Sequence, residues 1–146
     1  MKVEVKMDSV GAILRRRGLE TGGRVQRMFT AECARQMDPY VPMRQGTLKN
    51  VKRTIGLDYV KYDGPYAHYQ YMGILYVDPI TKKGCFYDPS TGKMWSRPGV
   101  KKIPSERKLT YHGSPKRGPK WDKRMWSDKG NQITAKIAAA AGGRAK

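Results

Sequence analysis

The sequence predicts an α+β domain. Three observations carry that prediction. A helical run with apolar spacing of three and four covers Thr21 to Met37, and a second covers Trp121 to Ala141. Between them lie short branched and aromatic runs punctuated by Gly, Pro and Asp, which is strand and turn chemistry. Order along the chain is then strand, helix, helix, strands, hairpin, helix, a mixed layout on a small antiparallel sheet.

Taken in order, Lys2 to Lys6 alternates charge with Val3, Val5 and Met7, the period-two pattern of a strand. Asp8 or Ser9 can cap a brief helix that runs to Arg17 and stops at Gly18. Arg15-Arg16-Arg17 complements the dipole of that helix end, as a solvated terminus does. Thr21 is the candidate cap of the next helix, with Gly22 and Gly23 weakening its first turn. Val25, Met28, Phe29, Cys33 and Met37 fall on one face of it, and Asp38-Pro39 ends it.

Two strands are expected between Leu48 and Val60, turning around Gly56-Leu57-Asp58. Pro65 to Met72 reads as a short helix or as a turn followed by a strand, after which Gly73 releases the apolar strand Ile74 to Val77. Cys85-Phe86-Tyr87 and Lys93-Met94-Trp95 flank Asp88-Pro89-Ser90-Thr91-Gly92, a five-residue hairpin loop. Arg97 to Lys108, rich in Pro and Lys, reads as extended loop. The C-terminal helix places Trp121, Met125, Ile133, Ile137 and Ala141 near one face, with Gly130 a weak point and Gly142-Gly143 beyond its end. At 146 residues this makes one domain, 1–146, carrying residues 79–108 as an inserted hairpin and loop arm.

Composition narrows function. Thirty basic residues against twelve acidic leave a net charge of +18, which suits a polyanion or an acidic protein surface without choosing between them. Nine tyrosines and three tryptophans against two phenylalanines suit either wet-edged interfaces or a small sheet core. Cys33 and Cys85 are too few for a disulfide framework and fit a reducing compartment, with Cys33 on a helix face as a buried thiol. The longest apolar stretch, Ala138 to Ala141, is far too short for a membrane span, and the N-terminus carries no signal-peptide pattern, so synthesis in cytoplasm is expected.

Catalytic signatures are weak. His68 sits between tyrosines and His112 in a Gly/Pro turn, neither beside a nucleophile signature. Cys33, His68, Cys85 and His112 lack the paired spacing of a structural zinc site. Glu106-Arg107-Lys108, with Asp78 or Asp88 upstream, has the form of a metal-dependent nuclease, but a three-residue match in a lysine-rich loop carries little. Thr21-Gly22-Gly23-Arg24 lacks the lysine of a phosphate-binding loop. No catalytic residue, metal or cofactor is expected.

Three constellations remain. Pro42-Met43-Arg44-Gln45-Gly46-Thr47-Leu48 follows the first long helix, Tyr66-Ala67-His68-Tyr69 leads to Gly73, and Leu109-Thr110-Tyr111-His112-Gly113-Ser114-Pro115-Lys116-Arg117-Gly118 precedes Trp121. Together they resemble the minor capsid proteins of tailed bacteriophages, a branch of the wider neck and tail-completion group. The family carries Pro-x-x-Thr-Gly-x-Leu at the first, where Gln45 stands here for threonine. The resemblance runs from Val3 to about Gly143, and the chain departs from it most at residues 79–104, which are longer than the family's pattern. It implies a structural virion protein: a homo-oligomeric ring at the head–tail junction, meeting other neck, portal-adaptor or tail proteins, with contact to genomic DNA left open and no membrane. Pro42, Gly46, Leu48, Gly73, His112 and Gly113 would then shape turns. Tyr66, Tyr69, Phe86, Tyr87, Met94 and Trp95 would be interface residues. The alternative is a DNA-binding or packaging-associated protein.

Overall fold

A computed structural model describes residues 1–42, 53–64 and 66–144. Gly46 and Leu48 of the first turn motif lie outside the described residues. Four helices and six strands are seen among those described: α1 (Val10–Arg17), α2 (Arg24–Met37), β1 (Arg53–Ile55), β2 (Val60–Tyr62), α3 (Ala67–Met72), β3 (Ile74–Val77), β4 (Phe86–Asp88), β5 (Lys93–Trp95), β6 (Ile103–Lys108) and α4 (Trp121–Ala140). The strands form three antiparallel pairs, β1–β2, β3–β6 and β4–β5. The class is α+β, as expected.

Local chemistry sets most boundaries. Ser9 caps α1, its Oγ accepting the Ala12 N–H at 3.3 Å, and Gly18 closes the helix in the left-handed region at φ 68°. Gly73 ends α3 the same way at φ 75°. A methyl group there would lie 2.7 Å from the Pro119 ring, so both the turn and the packing demand glycine.

Four expectations are corrected. Residues 2–6 form no strand, because alternation supplies a strand's faces but not a partner's hydrogen bonds, and none of the described strands pairs with them. Gly23, not Thr21, caps α2, since the chain turns twice more before the helix begins. Ile103–Lys108 is strand rather than loop: Ile103 pairs with Val77, Pro104 with Tyr76 and Lys108 with Ile74, across an irregularity that accommodates the proline at a sheet edge. The strands also make three separate ribbons in place of one small sheet.

α2 and α4 pack antiparallel. Arg24 reaches the Ala140 carbonyl at 3.0 Å, Lys136 reaches Glu32 at 2.7 Å, and the Tyr40 hydroxyl donates to Asp128 at 2.7 Å. Met37, Tyr40, Val41, Trp121, Met125 and Ile133 form the core between them. Tyr62 and Tyr71 lie edge-on to the Trp121 ring, with centroids 5.4 and 5.0 Å away, and so join β2 and α3 to it. Arg53 on β1 pairs with Asp38 at the end of α2.

Glu32 is the buried charge of this helix pair. Arg35, Lys136 and Gln36 all donate to it, which lowers its carboxyl to about 2. A depressed carboxyl stabilises the fold fully above its unfolded value near 4.5, and that contribution is lost as pH falls towards 2. Glu32→Gln is expected to flatten the acid limb of the stability profile between those values. Equilibrium urea unfolding at a series of pH values checks it, and an unchanged acid limb would contradict it.

Candidate interaction surfaces

The hairpin is built in two parts, a fixed root and an exposed tip. At the root, Asp78 is buried and accepts from the Ile80 and Thr81 N–H groups at 2.8 and 3.1 Å. Arg97 grips the same carboxylate with two bonds of 2.6 Å. That guanidinium holds the Asp78 carboxyl well below the usual range. Lys102 donates to the Gly84 carbonyl and Arg107 to the Lys82 carbonyl, so both sides of the root are tied.

At the tip, Asp88 organises the loop. Its carboxylate accepts from the Ser90 N–H at 2.9 Å, the Ser90 hydroxyl at 2.6 Å and the Thr91 hydroxyl at 2.9 Å, and these bonds lower its carboxyl. Gly92 completes the turn at φ 66°. Register pairs Phe86 with Trp95 and Tyr87 with Met94. Phe86 and Trp95 stack at 4.8 Å, with the Lys83 ammonium 5.3 Å from the Phe86 ring. Tyr87 and Met94 on the other face are each 62% exposed, and Trp95 is 50% exposed.

A second aromatic patch lies at α3. Tyr66 is largely exposed, and Tyr69 packs against Tyr76 of β3 at 4.7 Å and His68 at 5.8 Å. It is separate in sequence from the hairpin but borders the same β3 strand that leads to its root.

The Leu109–Gly118 run is a strap. The Leu109 N–H bonds the Gly73 carbonyl, the Tyr111 hydroxyl bonds the Gln70 carbonyl, and the Gly118 N–H bonds the Tyr40 carbonyl. Arg117 donates to the Asp38 and Val41 carbonyls, satisfying acceptors just past the end of α2. His112 and Gly113 form the exposed bend of this strap, with Gly113 at φ 99°. Pro42, next to Val41, is buried.

Sequence reasoning missed one surface. Phe29, Cys33 and Met37 were expected to face the core, but they also line two adjoining hollows of about 370 and about 430 Å³. Trp126 of α4 stands at the rim, edge-on to Phe29 at 6.1 Å, and both rings are substantially exposed. Burial and the neighbouring Glu32 carboxylate push the Cys33 thiol up. The signal was the exposed half of an apolar helix face, which spacing alone does not distinguish from the buried half.

Among the described residues no group of three or more His, Cys, Asp or Glu side chains could hold a metal ion. Glu106 and Lys108 are exposed on β6, while Asp78 is committed to Arg97. No described helix is long and apolar enough to cross a membrane.

The pattern of the minor capsid protein family matches residues 1–108, nearly three quarters of the chain. The chain belongs to the minor capsid protein family. Membership makes it a structural protein of the virus particle. The match takes in the hairpin and both early constellations and stops before the Leu109 strap and α4, which this chain uses to close its core. No curated protein and no solved structure matches the chain.

Proposed function

We propose that this minor capsid protein forms a homo-oligomeric ring at the head–tail junction of a tailed phage, in the neck or tail-completion layer. The hairpin carries the proposal. An isolated two-stranded ribbon is marginal in water, yet this one holds Tyr87, Met94 and Trp95 outward on a root fixed by Asp78 and Arg97. Exposed aromatics on a rigid mount are anchors awaiting a pocket. The hairpin docks on a neighbouring subunit or an adjacent neck ring, and Tyr66 and Tyr69 add a second contact. Contacts of this head-to-tail kind close into rings when the rotation permits.

The net charge of +18 favours a second reading, a DNA-binding or packaging-associated protein. In a ring, a lysine-lined lumen would grip DNA, which carries one negative charge per ~1.7 Å of axis, and impede ejection. Much of the +18 therefore faces protein partners or the ring exterior. Sedimentation of the purified chain with and without duplex DNA separates the readings. The ring reading expects oligomers without DNA. A monomer that binds duplex tightly, with affinity falling steeply as salt rises, would favour the alternative.

A further inference from the structure

Two features of this chain are left largely uncovered by the described residues, and they fit each other. The first is the N-terminal arm, residues 1–17. Val3, Val5 and Met7 are 74%, 77% and 80% exposed, and α1 buries none of its residues. Yet α1 is well built, with a side-chain cap, a left-handed glycine stop and Asp8 paired to Arg16. Val10, Ile13 and Leu14 stand at i, i+3 and i+4 on it, the spacing by which a short helix reads a groove.

The second feature is the pair of hollows between α2, β2 and α4. Phe29, Cys33 and Met37 form their common floor, with Met125 and Trp126 on the α4 side. Acidic residues are scarce in this chain, twelve against thirty basic, yet Asp58 and Asp122 both line the hollows, with Lys123 beside them. The arm is the reverse: its helix ends in Arg15-Arg16-Arg17 with no acid in its first turn.

The arm does not fill its own groove. The joint after α1 is held by backbone bonds: Leu19 N–H to the Leu14 carbonyl at 2.9 Å, Gly23 N–H to Glu20 at 2.8 Å and Val25 N–H to Gly18 at 3.0 Å. Gly22 adds a bond to the Gln26 side chain and accepts one from Arg27. These fix the direction in which α1 leaves the body, and in that direction Val10 is 71% and Leu14 39% exposed while Ile13 is half-buried.

We infer that the N-terminal arm of one copy docks in the α2–α4 groove of the next. Val10, Ile13 and Leu14 enter the floor formed by Phe29, Cys33 and Met37, and Arg15 and Arg17 meet the carboxylates of Asp58 and Asp122. The inference rests on the ring reading and gives it a second contact, independent of the hairpin. Because arm and groove are different surfaces, the contact is head-to-tail.

Cys33 supplies the test. Two full-length chains of different tag length, both carrying Cys85→Ser, are co-expressed. One carries Ile13→Cys and Cys33→Ser; the other keeps Cys33. Mild oxidation is expected to give a disulfide between the two chains, and Leu14→Cys in place of Ile13→Cys gives the same product. Asn131→Cys, exposed on α4 outside the groove, is expected to give none. Native mass is read in parallel. Oligomers with no such cross-link overturn the arm contact and leave the ring reading standing. Monomers with no cross-link overturn both. A cross-link from Asn131→Cys as strong as from Ile13→Cys shows random collision and overturns the arm contact.

Discussion

Tyr87→Ala together with Trp95→Ala is expected to abolish assembly while leaving the monomer's melting temperature unchanged. Buried aromatic anchors commonly cost about 2 kcal/mol or more each when truncated at an interface, a loss of roughly 30-fold in affinity. Exposed side chains cost the monomer itself little, within about 0.5 kcal/mol. Tyr87 is the cleaner of the two. Trp95 also stacks on Phe86, so its removal loosens the hairpin locally as well as emptying the partner's pocket. Asp78 and Arg97 hold the root in either variant, so the hairpin stays in place for the comparison. Native mass against thermal melting reads the outcome. A fall in the monomer's melting temperature would assign the hairpin to the core and contradict the docking role.

Trp121→Ala is expected to have the largest effect on folding. Trp121 is 3% exposed at the first turn of α4, where Tyr62 and Tyr71 meet its ring edge-on. It is the residue through which β2 and α3 share the core of the α2–α4 pair. Truncating a buried tryptophan costs about 3–5 kcal/mol, a large part of the roughly 5–15 kcal/mol that holds a small domain folded. Urea unfolding followed by tryptophan fluorescence and by circular dichroism measures it. A loss below about 1 kcal/mol would mean that the ring sits on the core without organising it.

Elements governed by nearby residues were legible in the sequence. Ser9 and Gly18 bound α1, Gly73 separates α3 from β3, and Asp88 and Gly92 shape the hairpin turn, each through bonds within a few residues. What depended on distant partners was not. β6 carries a proline and three charged residues and reads as loop, and only pairing with β3, some thirty residues earlier, makes it a strand. Residues 2–6 have a strand's alternation and no partner among the described strands. Tyr40 and Val41, which lie just beyond the helix stop at Asp38-Pro39, are among the most buried side chains. The helix stop at Asp38 folds them inward, where the Arg117 strap and Asp128 meet their polar atoms.

The candidate surfaces divide the same way. Phe86, Tyr87, Met94 and Trp95 were identifiable because a short hairpin with aromatics so near its turn cannot bury them all within itself. The α2–α4 groove was not, because Phe29 and Cys33 share a helix face with Val25 and Met37. Periodicity marks that face as apolar without saying which chain covers it. A helix face can be half core and half interface, and only the packing of α4 separates the two.

A reconstruction of the intact virion tests the central claim most directly. The account predicts density for this chain as a closed ring at the head–tail junction. Each hairpin would be seated on a neighbouring subunit or adjacent ring, with the lysines and arginines directed away from the DNA channel. Density for isolated copies scattered over the head shell, or a ring whose lumen is lined by those basic side chains, would contradict it.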